Sequence, residues 1–263
     1  MDKRIINAYK LIEVAKHAPG YSIFRNLLKA RSSYLIFLDN KTDLERTLKH
    51  IKLNHEEVYS TDSSLRRNQR RVMKELYNLI SAAQNVKEHL NQQSKTYCQH
   101  IGGTNIHYFF RELRNMLVHH NTFPLVSKRK FEWIDDKMHQ DIFQSMDIAS
   151  FSGHLTRRIT ELSGKPNKKK QLKQTEDVLV YLNSLPDGFN FDALLTEYYQ
   201  TIILFYRTWL IAFVTHQYQQ LEDFSDQLVP IHAVITNLPV SKLQNRYLRL
   251  LLSTATKLIE VTP

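Results

Sequence analysis

Glycine and proline are scarce in this chain. Six glycines and seven prolines occur in 263 residues, where average usage would supply roughly 30. A β-rich protein of this length needs many turns built on those two residues, so the shortage argues for helices joined by few connections. Cysteine is scarcer still. Cys98 stands alone, which excludes an intramolecular disulfide and points to a reducing compartment. The longest apolar run lies around residues 202–214 and is interrupted by Arg207. It is too short to cross a bilayer and predicts a buried core helix, so no membrane association is expected. Met1-Asp2-Lys3-Arg4 leads straight into an amphipathic pattern. No signal peptide is therefore expected, and the cytoplasm is the expected location.

Catalytic signatures are also few. The sequence has no phosphate-cradling glycine loop, no G-x-S-x-G turn and no H-E-x-x-H pair. Its histidines show no metal-ligand spacing. Neither a metal nor a cofactor is expected.

What the chain does have is positive charge. With 36 Lys and Arg against 26 Asp and Glu, the formal net charge is +10. Such a balance suits a polyanionic partner, and nucleic acid is the partner it favours.

Apolar residues recur at helical spacing over most of the length. Helices are expected over 3–17, stopped by Pro19-Gly20, and over 21–38. Thr42 and Glu45 form a capping box that predicts a third helix. Thr61-Asp62-Ser63 predicts the start of a long helix to about residue 99, whose first turns carry Arg66, Arg67, Arg70 and Arg71 on the outward side. Gly102-Gly103 breaks the chain, and Thr104 opens a helix to about 120. Residues 122–135 lean towards a small β-hairpin, and 136–163 read as weakly helical. The stretch 164–174, with Lys168, Lys169 and Lys170, reads as a basic flexible linker. Further helices are expected at about 174–184, 191–226 and 240–259. The expectation is an all-α multi-helix bundle, one domain over 1–263, with the late long helix packing back on the earlier ones.

One segment carries a candidate chemistry. On a helix at about 100° per residue, Ile106, Phe110, Leu113 and Leu117 share one face, and Arg111, Asn115 and His119 follow one another at i, i+4 on the opposite one. Arg114 lies on the flank between them. A histidine near a helix C-terminus is favoured in its protonated form. Beside a fixed guanidinium it makes a usable pair for phosphate chemistry. Arg111, Arg66, Arg67, Arg70, Arg71 and Lys168–Lys170 are the candidate phosphate contacts.

Arg114-Asn115 followed by His119 reads R-N-x-x-x-H. It is similar to the R-x(4–6)-H motif of the HEPN superfamily (higher eukaryotes and prokaryotes nucleotide-binding domains), in which a polar residue commonly follows the arginine. Leu113 to His119, followed by Pro124, also resembles a group of uncharacterised bacterial HEPN-like proteins. The resemblance implies an all-α bundle and a metal-independent endoribonuclease. Its composite site would form where two copies meet as a homodimer. It implies His119 as general acid or base, Arg114 on the scissile phosphate, and Asn115 orienting both. His120, at R-x(5)-H, is the competing histidine. A toxin or phage-defence role, with a neutralising partner protein, is implied by the family alone. The rival reading is a non-catalytic module of the same fold that docks a partner protein or nucleic acid. A DNA-binding regulator is a third reading, disfavoured because no compact helix-turn-helix pattern is present.

Overall fold

The computed structural model of the protein describes residues 10, 13, 14, 16–93, 104–120, 125–186 and 189–236. Seven α-helices and one two-stranded sheet are formed among them. The helices are α1 (Pro19–Leu53), α2 (His55–Val58), α3 (Asp62–Gln93), α4 (Asn105–His120), α5 (Ile148–Ser163), α6 (Lys169–Ser184) and α7 (Phe191–Thr236). The strands β1 (Leu125–Ile134) and β2 (Lys137–Met146) lie between α4 and α5. The fold is therefore an all-α bundle with a small hairpin, as composition implied. Ser32–Trp209 forms one compact unit, and the described residues on either side of it form another.

Local chemistry explains several boundaries. Thr61 Oγ1 accepts the Ser64 backbone N–H at 3.1 Å and starts α3. Asp147 accepts the Ser150 N–H at 3.1 Å and its hydroxyl at 2.7 Å, starting α5. Those bonds hold the Asp147 carboxyl below its usual range. Asn190 Oδ1 accepts from the N–H groups of Asp192 and Ala193 at the start of α7.

Four expectations need correction. Thr42 does not open a helix. Its hydroxyl donates to Leu38 O at 2.9 Å inside α1, so the two helices expected over 21–51 are one. The hairpin spans 125–146 rather than 122–135, in register from Leu125↔Met146 to Ile134↔Lys137. Its turn is Asp135-Asp136, both at positive φ, 49° and 58°. That is the backbone of a two-residue hairpin turn, reached here without glycine. The flexible linker is absent: Pro166–Lys168 form a 3-10 turn and Lys169 already begins α6. Pro166 occupies the first turn, where its missing N–H costs nothing, and Lys, Gln and Leu behind it are good helix formers. Finally, residues 137–146, expected to be weakly helical, form β2, and helix begins in that stretch only at Ile148. Pro19-Gly20 opens α1, and the described residues before it, Lys10, Glu13, Val14 and Lys16, are helical and give way to a turn at His17-Ala18, as expected. The helix expected over 240–259 and the Gly102-Gly103 break lie outside the described residues.

Gly20 is there for packing. A Cβ on it would meet Gln220 O at 2.3 Å and Phe224 Cβ at 2.4 Å. Phe224 is buried against Tyr21 and Phe24. Helix propensity alone favours alanine over glycine by about 1 kcal/mol, whereas overpacking costs about 1–3 kcal/mol. Gly20→Ala is therefore expected to lower the thermal midpoint, and a raised midpoint would show that this approach is not tight.

In the Ser32–Trp209 unit the core is aromatic. Tyr34 stacks on Tyr206 at 3.9 Å between centroids, and Phe110 on Tyr198 at 4.1 Å. Phe109 meets Phe151 and Tyr181 edge-on. Within this unit α7 does pack back on α1 and α4, as expected. α4 sits centrally and touches α3, α5 and α6.

Candidate nucleic-acid and catalytic site on helix α4

A central helix must bury more than one stripe. α4 buries Ile106, Phe110, Leu113 and Leu117 as its periodicity predicts, but also His107, Phe109, Glu112 and Met116. Its polar groups are thus pressed into two clusters, one on each flank.

The first is built around Arg114, which is half-buried. Its Nε donates to Ser81 Oγ at 2.9 Å, Nη1 to Gln84 Oε1 at 3.0 Å and Nη2 to the Tyr77 hydroxyl at 3.4 Å. The guanidinium carbon also stands 5.1 Å from the centre of the Tyr77 ring. All three partners lie on α3. Hydrogen bonds from Arg114 and Ser81, then the Arg114 charge, hold the Tyr77 phenol below its usual value.

The second cluster surrounds Glu112, whose side chain is 0% exposed. Glu112 Oε1 accepts from Arg111 Nη2 at 2.9 Å and Nε at 3.3 Å, and Oε2 accepts from Asn115 Nδ2 at 3.1 Å. Arg111 Nη1 donates onward to Gln174 Oε1 on α6 at 3.0 Å, and its guanidinium covers the Tyr108 ring at 5.0 Å. A buried carboxylate is tolerable only when its lone pairs are met in this way. Arg111, expected on an open polar face as a phosphate contact, is instead committed to this ion pair.

His107 belongs to neither cluster. It is buried beside Tyr198 and Tyr108. Burial, with the charges of Lys87 and Arg111, pushes its imidazole down to about 3. The folded state refuses a proton that the unfolded state binds near 6.5, so the contribution is complete above pH 6.5 and is lost as pH falls towards 3. At about 1.4 kcal/mol per pH unit, stability should drop by about 2 kcal/mol between roughly pH 7 and pH 5 from this residue. Urea denaturation of His107→Phe beside the parent measures it. The variant should lose that share of the slope, and equal slopes would remove His107 as the cause.

The other expected site residues are placed as follows. Arg66, Arg67, Arg70 and Arg71 are exposed on α3, as the sequence implied, with Arg71 paired to Glu75 at 3.2 Å. Lys169 and Lys170 are exposed and Lys168 is half-buried, on ordered backbone rather than a loose linker. His119 and His120 close α4, but their side chains lie outside the described residues. Arg114 and position 119 are five residues apart, about 140° around the axis, so one helix divides them between its two flanks.

Glu112, Tyr77, Ser81, Gln84 and Gln174 were missed by sequence reasoning. Only Glu112 left a signal, a carboxylate bracketed by Phe109, Leu113 and Met116 at core spacing. The other four are ordinary surface-type residues until the helices pack.

Among the described residues, no group of three or more His, Cys, Asp or Glu could hold a metal ion. No described helix is long and apolar enough to cross a membrane. No protein-family model, curated protein or solved structure matches the chain.

Proposed function

We propose that the chain binds RNA in the cytoplasm and cleaves it without a metal ion, using Arg114, Asn115 and His119 in a site completed by a second copy of the chain. The observation that carries this reading is the holding of Arg114. Three acceptors and a ring face fix its guanidinium, yet the hydrogen bonds use only three of its five N–H donors. One N–H on each of Nη1 and Nη2 remains to meet phosphate oxygens. Asn115 is steadied by Glu112, and position 119 follows one turn later at the helix end, where the dipole favours an imidazolium.

In this reaction His119 takes the proton of the RNA 2′-hydroxyl, and that oxygen attacks the neighbouring phosphorus. The bond from phosphorus to the 5′ oxygen breaks, and the second copy's imidazole protonates the leaving oxygen. The products are a 2′,3′-cyclic phosphate and a 5′-hydroxyl. Arg114 offsets the charge that builds on the equatorial oxygens. Two copies are required because one helix supplies one such imidazole. The test is single-stranded RNA incubated with the purified protein in EDTA, with cyclic-phosphate ends as the expected product.

The exposed arginines of α3, together with Lys169 and Lys170, supply the path for the rest of the strand. Affinity for RNA should fall steeply between about 50 and 200 mM salt. Arg67→Glu with Arg70→Glu should weaken binding to all sequences alike, by about tenfold or more. Binding indifferent to salt would contradict this electrostatic path. A second reading is favoured by the half-burial of Arg114: a purely architectural arginine would be clamped in the same way. On that reading the bundle is a non-catalytic module whose basic ridge docks a partner, and no RNA is cut.

A further inference from the structure

The hairpin presents apolar surface at its tip. Trp133 stands opposite Met138 in the register, and Phe131, two residues back, shares their face. These three side chains are 75%, 61% and 56% exposed. By the same alternation Leu125 and its partner Met146 lie on that face at the foot, where both are buried. One face of the ribbon is thus anchored in the core at its foot and offers an apolar strip at its tip. A contiguous exposed patch of this kind marks an interaction site.

The charges around the strip say what meets it. Glu132, Asp135 and Asp136 against Lys137 give the tip half, residues 131–140, a formal charge of −2. Lys128, Arg129 and Lys130 against Asp141 leave the foot half, residues 125–130 and 141–146, at +2. The whole chain is +10, so everything outside the tip half carries +12. An acidic setting repels the phosphates of a nucleic acid or of an anionic membrane surface, so neither suits this strip. It is complementary to the basic remainder of a second copy. The position agrees. β1 begins five residues after His120, so its first Cα is at most about 18 Å from the end of α4, where the proposed site needs a second copy. Each strand has ten residues and is about 34 Å long. That length reaches from the shared site onto the body of the neighbouring copy.

We infer that the hairpin is a dimerisation arm, whose Phe131, Trp133 and Met138 face is buried against a second copy of the chain. The inference rests on the two-copy reading above for its partner, but not on RNA cleavage. Its test is sedimentation velocity of the full chain over a range of concentrations. The parent should form a dimer. Trp133→Ala should weaken it by about 30-fold or more, the loss expected from one aromatic hot spot. Asp135→Asn with Asp136→Asn removes charge from the tip while keeping residues that tolerate positive φ. It should weaken the dimer by a smaller factor that shrinks as salt rises. Far-ultraviolet circular dichroism should match the parent in both variants, because all three side chains are exposed. Tryptophan emission gives a second readout. Trp209 is buried and should stay constant, whereas Trp133 emission should move to longer wavelength as the parent is diluted from dimer to monomer. A dimer that persists unweakened in Trp133→Ala would overturn the arm and leave the two-copy reading intact. A parent that stays monomeric at every concentration measured would overturn both. A dimer that depends on Trp133 but cuts no RNA would support the arm and contradict the cleavage reading.

Discussion

Glu112→Ala is expected to destabilise the Ser32–Trp209 unit by about 3–5 kcal/mol, the cost of breaking a buried ion pair from one side. That is a large part of the roughly 5–15 kcal/mol that holds a domain folded. The cause is specific. Glu112 accepts three hydrogen bonds, two from Arg111 and one from Asn115. Its loss leaves the Arg111 side chain, only 24% exposed, facing an empty space. Arg111 would retain Gln174 and the Tyr108 ring, which soften the loss without replacing the charge. Glu112→Gln keeps the shape and should cost less. Removing both charges together, as Arg111→Met with Glu112→Leu, should recover most of the stability, because the burial penalty disappears with the pair. Urea denaturation of the four proteins decides it. An alanine variant within about 0.5 kcal/mol of the parent, the size of an ordinary surface change, would mean that the cluster is not structural.

The general architecture could be read before any coordinates, because low glycine and proline content and a period of 3.6 act over many residues at once. The long α3 and the apolar α7 follow directly from such stripes. Single turns were less legible. Thr42 with Glu45 satisfies a capping rule, yet the hydroxyl turns back to Leu38 O and α1 continues through it. Asp135-Asp136 carries no glycine to announce a two-residue turn, so the sequence pattern ends the hairpin at 135, whereas β2 runs to Met146. The lysines after Gly164 carry the charge of a solvated linker, yet lysine is also a good helix former and α6 begins among them.

The candidate site was legible in part. Arg114 and Asn115 are neighbours on one helix, and the structure holds them in two separate polar clusters, Arg114 against α3 and Asn115 on Glu112. What one helix cannot reveal is which of its polar residues are turned inward by neighbours on every side. Arg111 read as an exposed cation because the wheel placed it opposite the main apolar face. The approach of Gln174 from α6 and the burial of Glu112 change that. His107 could not be told from a solvated histidine until α7 brought Tyr198 beside it.

In the proposed reaction His119 is the acid–base group, and the Glu112 ion pair takes no part in the chemistry, so the two can be tested separately. Removing a general acid or base costs on the order of 10²–10⁴ in rate, so His119→Ala should leave the melting curve nearly unchanged and almost abolish activity. Arg114→Ala should lower the rate through lost charge stabilisation. It should also loosen α4 from α3, since Ser81, Gln84 and Tyr77 all lose their partner. Arg114→Lys separates those effects only partly, because one ammonium cannot reproduce the planar fork. His119 is therefore the cleaner probe.

The decisive measurement is the rate of cleavage of single-stranded RNA by the parent protein and by His119→Ala, each with EDTA present. A metal-independent site built on this histidine predicts products ending in a 2′,3′-cyclic phosphate from the parent, and a rate at least about 100-fold lower from the variant. Equal rates from the two proteins, activity that vanishes with EDTA, or no cleavage by the parent would contradict it.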